Sequence, residues 1–287
     1  MIKSFFVSDL HGHEDRYSKL IESIKFDTPS LLFIGGDILL SGLAYSRSRY
    51  NSNADFIHRF LIPSFEFLKY KLGEFYPEVY IIMGNDDVKS EEASILKAEQ
   101  KSIWKYIHNK RSSYLEYSIY GYACVPPTPF RLKDWEKYDV SRYTDPGCIA
   151  PEEGIFSIPP DEHEIKHSTI KNDLNNLVGK DNLNKSLFLF HSPPYNTNLD
   201  YANLKGQKID NVELDVHVGS IAIRKFIEKN QPLITLHGHI HESPRITGSW
   251  KDKIGNTYCF SAAHDKRELA IVKFDLEKPD NAVRELI

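Results

Sequence analysis

Five short apolar runs narrow the folds open to this chain: Phe5-Phe6-Val7, Leu31-Leu32-Phe33-Ile34, Val79-Tyr80-Ile81-Ile82-Met83, Leu187-Phe188-Leu189-Phe190 and Leu233-Ile234-Thr235-Leu236. Each is brief, continuous and bounded by turn-forming residues, the pattern of a strand buried on both faces. Thr257-Tyr258-Cys259-Phe260 and Leu269-Ala270-Ile271-Val272 predict two more strands. Between the runs, Tyr17, Leu20, Ile21 and Ile24 share one helical face, as do Ile170, Leu174 and Leu177 behind a Ser168 cap. A structural helix is expected over residues 90–107, with Ile95, Leu96, Ile103, Trp104 and Ile107 packed inward. Strands alternating with helices mean a layered α/β fold. With no linker or repeat in view, residues 1–287 are expected to form one domain, carrying an irregular, proline- and aromatic-rich insertion at about 122–167.

The residues at the carboxyl end of each run are more specific. The first run ends in Ser8-Asp9-Leu10-His11, the second in Gly35-Gly36-Asp37 and the third in Gly84-Asn85-Asp86-Asp87. The fourth ends in His191-Ser192-Pro193-Pro194 and the fifth in His237-Gly238-His239-Ile240-His241. Open α/β sheets bind ligands outside the carboxyl ends of their strands, so these residues, far apart in sequence, are expected to converge. Mixed carboxylate, amide and imidazole donors suit borderline metals such as Mn, Fe, Zn, Co or Ni better than Ca. Seven such donors exceed the needs of one tetrahedral ion, and two divalent ions sharing a bridging carboxylate would use them all. Taken singly, Asp37 or Asn85 would be an ordinary turn residue; their order and common placement carry the inference.

Composition excludes several alternatives. A net charge of −4 leaves no electrostatic footprint for long nucleic acid and favours a small or mobile substrate. Three widely spaced cysteines, Cys124, Cys148 and Cys259, make neither a disulfide framework nor a Cys-x-x-Cys site. The short apolar run before Asp9 is not a signal peptide and no stretch reaches the length of a membrane span, so a cytoplasmic protein is expected.

Asp9-x-His11, Gly36-Asp37, Gly84-Asn85-x-Asp87, His191 and Gly238-His239-x-His241 together resemble the five-block signature of calcineurin-like metallophosphoesterases. The stretch HSPPYNT with His217-Val218-Gly219-Ser220 resembles a bacterial and archaeal subgroup of predicted phosphoesterases. The resemblance implies a four-layer αββα sandwich with mixed sheets and a dinuclear metal centre at the strand ends. It implies that Asp9, His11 and His241 hold one ion, that Asn85, His191 and His239 hold the other, and that Asp37 bridges them. Asp37, Asn85, Asp86 and His191 then become the catalytic candidates.

Many family members carry a histidine after the asparagine, where it assists the leaving group; here Asp86 stands there. A carboxylate beside two cations stays ionised and is a poor general acid, which favours phosphodiesters with good leaving groups. His13, His217 and His264 are the candidates to take over that role, against the plainer reading of each as a surface histidine. His13, His217 and Arg131 are also the candidate substrate-binding residues, and Lys133 and Trp135 in the insertion are candidates to meet a phosphate and an aromatic group. His237 is expected to be structural, because strand alternation turns it away from its neighbours. His163-Glu164-Ile165-Lys166-His167 matches the zinc-protease pattern His-Glu-x-x-His, but it lacks an apolar helical face and a downstream third ligand. The expected activity is metal-dependent phosphodiester hydrolysis of a small phosphoester or nucleotide-like substrate. Nucleotide pyrophosphate hydrolysis, monoester or phosphoprotein dephosphorylation, and a catalytically silent metal-stabilised binding module are the alternatives.

Overall fold

The computed structural model describes residues 1–41 and 49–287. The apolar runs become the inner strands of two six-stranded mixed sheets. In the first sheet β1 (Lys3–Val7), β2 (Leu31–Gly35), β3 (Glu78–Ile82) and the short β4 (Lys105–Tyr106) run parallel. In the second, β6 (Tyr117–Tyr122), β7 (Ser186–Phe190), β10 (Ile234–His237) and β12 (Thr257–Ser261) run parallel. Antiparallel neighbours close the edges: β13 (Ala270–Asp275) and β14 (Lys278–Leu286) beyond β1, β5 (Lys110–Tyr114) beyond β6, and β11 (Lys251–Ile254) beyond β12. A small hairpin, β8 (Lys208–Ile209) with β9 (Val212–Glu213), stands apart.

The sheets pack face to face, β2 on β7 and β3 on β6, and Phe260 of β12 meets Phe274 of β13 with ring centroids 5.7 Å apart. This is the four-layer architecture expected. Helix α1 (Glu14–Asp27) packs against α2 (Ile62–Leu72). Residues Asn53–Phe56 and a wider turn, Ile57–Leu61, lead into α2 without a break. On the other side α5 (Ile170–Val178) packs against α6 (Ile221–Asn230), whose Phe226 meets Phe188 of β7; α3 (Glu92–Glu99) and α4 (Glu162–His167) are shorter.

Several local expectations change. The helix over 90–107 stops at Glu99, and Ser102 takes a left-handed φ of 54° before the chain enters β4. Ile95, Ile103, Trp104 and Ile107 are buried as expected, but Leu96 is 36% exposed because the helix presents that position to solvent. Thr169, not Ser168, caps α5, accepting from Asn172 N–H at 3.2 Å. The strands β4, β5, β6, β11 and β14 carried no continuous apolar run, since edge strands and alternating ones such as YSIYGY do not advertise burial on both faces.

The insertion is irregular, joined by single bridges such as Val125 to Glu136 and Leu132 to Ile155. Its candidate substrate residues mostly turn inward. Lys133 is fully buried and pairs with Glu136, and Trp135 is 1% exposed against His108, so neither faces a substrate; Arg131 remains exposed.

His108 supplies a testable pH dependence. Its Nδ1 accepts from Ala123 N–H at 3.0 Å, which requires an unprotonated nitrogen. Burial, reinforced by Lys137, Lys89 and Lys110, pulls its pKa from 6.5 to about 3. The folded state therefore refuses a proton that the unfolded chain accepts, so this contribution is intact above pH 6.5 and is lost as pH falls toward 3. Between pH 6.5 and pH 5 urea denaturation should show His108→Asn losing ~1.5 kcal/mol less stability than the parent protein. Parallel losses in the two proteins would refute this role.

Candidate metal centre

Loops leaving β1, β2, β3, β7 and β10 meet at one end of the sandwich. The first two are zipped together: Asp9 N–H donates to Gly36 O at 3.0 Å, His11 N–H to Asp37 O at 2.7 Å and Gly12 N–H to Ile38 O at 3.2 Å. Gly238 N–H donates to His191 O at 2.9 Å, joining the other two histidine loops. Asp9, His11, Asp37 and His239 all adopt left-handed backbone, with φ of 57°, 46°, 50° and 71°. That conformation costs about 1–2 kcal/mol for a residue with a Cβ and persists only where surrounding bonds impose it. Two glycines make room: a Cβ on Gly36 would sit 2.7 Å from His191 Nδ1, and one on Gly238 would sit 2.8 Å from Asp9 Oδ2.

The side chains fall into two groups that share Asp37. Asp9, His11, Asp37 and His241 each bring one ligand atom within 4.8 Å of the others. His191 Nε2 lies 3.3 Å from Asp37 Oδ2 and 3.0 Å from Asn85 Oδ1, while the His191 and His239 ring centroids are 5.3 Å apart. His191 Nδ1 donates to Gly35 O at 2.8 Å, which fixes the ring and aims Nε2 at the centre.

The electrostatics call for cations. His11 Nε2 and His241 Nε2 face each other at 3.2 Å, and two bare imidazole nitrogens so placed are reconciled only by a proton or a metal ion between them. Burial alone would push the Asp9 and Asp37 carboxyls up, yet His241 beside Asp9 and His191 beside Asp37 hold both below the usual range. Burial opposes a proton on His191, but Asp37 overrides it and pushes the imidazole up to about 10. His11 and His239 stay neutral, pulled to about 4 and about 3 chiefly by burial. A cluster that takes up protons to balance buried carboxylates has the donor set a divalent ion would take over.

Asp86 borders this group. Its N–H donates to Asp37 Oδ1 at 2.9 Å, its Oδ2 lies 3.7 Å from His11 Nδ1 and its side chain is 40% exposed. Burial and the Asp37 charge push its pKa up to about 6, and cations beside Asp37 reverse the second cause.

Residues that sequence reasoning left without a role lie behind the ligands. Ser8 donates to Asp9 Oδ2, Arg16 donates to Asp9 O at 2.6 Å and His11 Nδ1 meets Ser41 Oγ at 2.9 Å. Asp87, fully buried, accepts from Ile38 N–H (3.0 Å), Leu39 N–H (2.8 Å) and Gly84 N–H (2.9 Å), tying the loop after Asp37 to the loop of Asn85. Asp87 belonged to a recognised block, but nothing in the sequence singles out Ser41.

Other candidates lie outside these contacts. His237 is buried and structural as expected, with Nδ1 donating to Ser192 O at 2.9 Å and Nε2 2.8 Å from Thr235 Oγ. His13 is exposed at the start of α1, and its side chain makes no capping bond. His264 Nε2 pairs with Glu268 at 3.2 Å. His163 and His167 lie one turn apart on α4 with ring centroids at 4.4 Å, but neither joins a group of three metal-ligating side chains among the described residues.

Comparison with known proteins agrees with this geometry. The profile of the family described as calcineurin-like phosphoesterase matches residues 2–243. The uncharacterized protein MJ1162 of Methanocaldococcus jannaschii is 41% identical over 97 residues, which span 33% of this chain and 38% of that relative. The chain thus covers well under two thirds of that relative's length. The crystal structure of TT1561 from Thermus thermophilus aligns with 99% of this chain and 98% of its own, at a TM-score of 0.55 and 13% identity. A second solved structure aligns over the same shares at a TM-score of 0.59 and 15% identity. At such identity the two structures speak for the fold. Among the described residues no helix is long and apolar enough to cross a membrane.

Proposed function

The chain belongs to the calcineurin-like phosphoesterase family, and on that premise we propose that this metal-dependent phosphoesterase prefers phosphodiesters and works with two divalent ions. Asp9, His11 and His241 would hold one ion, Asn85, His191 and His239 the other, with Asp37 between them. When bound, the ions would make hydroxide available from water at neutral pH and neutralise charge on the phosphoryl oxygens. The chain's own part is to fix the donors: His191 is oriented by Gly35 O, Asp9 by Ser8 and by His239 N–H at 3.1 Å, and Asp37 by Asp86 N–H.

The observation that carries the diester preference is Asp86. Its carboxylate stands at the mouth of the centre, 3.7 Å from His11. There its ionised form repels a monoester dianion more than a diester monoanion, and cations beside Asp37 would favour that ionised form.

The test is hydrolysis of bis-p-nitrophenyl phosphate beside p-nitrophenyl phosphate, with apo-protein resupplied with Mn, Fe(II), Zn, Co, Ni or Mg and metal content measured on the same samples. The expected result is about two ions per chain and a kcat/KM at least ~10-fold higher on the diester, the worth of about 1.4 kcal/mol of charge repulsion. Faster turnover of the monoester would refute the preference, and failure to bind metal stoichiometrically would refute the centre.

A further inference from the structure

The dinuclear centre uses neither His163 nor His167. We propose that these two imidazoles form a separate metal site, a surface chelate that holds one Zn, Ni or Cu(II) ion across a turn of α4.

The local sequence prepares the pair. Side chains four residues apart lie one above the other on a helix face, and here the turn between them is fixed at both ends. Asp161 caps α4, its carboxylate accepting from His163 N–H and Glu164 N–H at 2.9 Å each. At the other end Ser168 N–H donates to Glu164 O at 2.9 Å, and Thr169 caps α5 directly afterwards. Both imidazoles are exposed. Among the described residues their nitrogens carry no side-chain hydrogen bond or ion pair, and the rings meet each other.

The spacing suits a shared ion. The ring centroids are 4.4 Å apart and the ring planes are tilted by 42° rather than stacked. An imidazole nitrogen binds zinc at about 2.0–2.1 Å, which puts the ring centroid ~3.2 Å from the ion; two such ligands ~90–110° apart have centroids ~4.5–5.2 Å from each other. The observed spacing meets the near end of that range to within ~0.1 Å, so little rotation of the exposed side chains brings one nitrogen of each ring onto a common ion. Water would complete the coordination, and imidazole donors select Zn, Ni or Cu(II) over Mg or Ca.

Glu164 makes this a binding site and not a hydrolytic one. In a zinc protease the glutamate of His-Glu-x-x-His is the general base. Here its carboxylate pairs with Lys137 Nζ at 3.3 Å, and Asp173 holds the same Lys137 at 3.0 Å. A helix of six residues is marginal by itself. An ion that joins its first and last turns therefore stiffens the segment leading from the insertion into α5.

Equilibrium dialysis of the metal-loaded protein against ~0.1 mM Zn tests the site, with total metal per chain measured in the parent, His163→Gln, His167→Gln and the double variant. The centre contributes equally to all four proteins and cancels in the differences, and substitution of exposed rings leaves the fold intact. Each single variant should hold one ion fewer than the parent and the double variant no fewer than either single one, because a chelate needs both rings. Amide hydrogen exchange across residues 164–168 should slow ~5-fold with Zn in the parent, the protection given by a ligand at about four times its Kd, and stay unchanged in the variants. Equal metal content in the parent and the single variants would overturn the site. A double variant that loses twice as much as either single one would also overturn it, since two independent imidazoles behave that way. Exchange that ignores Zn in the parent would overturn the stiffening of α4.

Discussion

Asp37→Asn is expected to reduce phosphoester hydrolysis by on the order of 10³-fold and to lower metal content from about two ions per chain to one or fewer. The Asp37 carboxylate is within reach of both donor sets: it lies within 4.8 Å of Asp9, His11 and His241 donors and 3.3 Å from His191 Nε2. An asparagine keeps the size and keeps an oxygen for Asp86 N–H, now 2.9 Å away, so the fold has no reason to fail. What it removes is the charge that would bridge two cations. Denaturation midpoints, metal analysis and turnover on the same preparations separate these effects. A variant that keeps both its metals and its rate would mean that Asp37 does not bridge.

The second large effect is on stability. Asp87→Ala takes the acceptor from Ile38, Leu39 and Gly84 N–H in a region closed to water. Each orphaned buried donor costs about 1–3 kcal/mol, so a loss of ~3–5 kcal/mol is expected after partial relaxation. Asp87→Asn keeps one acceptor oxygen and should lose about half as much. Both variants should also bind metal more weakly, because the loops of Asp37 and Asn85 are tied through this carboxylate. If urea denaturation placed Asp87→Ala within ~1 kcal/mol of the parent protein, the anchoring role would be wrong.

His217 shows how far sequence reasoning reached in the loops. Three histidines stood level as proton donors, and all three lie in loops or at helix starts. The structure pairs His217 with the fully buried Asp200, a contact between residues 17 apart that depends on how the loop folds back on Pro193 and Ser243. Lys133 and Trp135 illustrate the converse error. A lysine and a tryptophan in a polar, proline-rich stretch looked like substrate contacts, whereas a buried Glu136 and the His108 ring draw them inward. Composition does not reveal such pairing.

The sequence by itself determined the inner strands, the layered class and the identity of the ligand candidates. Strands buried on both faces must be continuous apolar runs, and donors placed directly after parallel strands must emerge at the same end of a sheet. Tertiary structure alone decided the rest. It held Asp9, His11, Asp37 and His239 in left-handed backbone, placed Ser41 and Arg16 behind the ligands, added the edge strands and seated Asp200 beneath His217. The physical reason is that local patterning records which residues avoid water. The positions of strained and buried polar groups are set by hydrogen bonds from distant parts of the chain, which leave no periodic trace in the sequence.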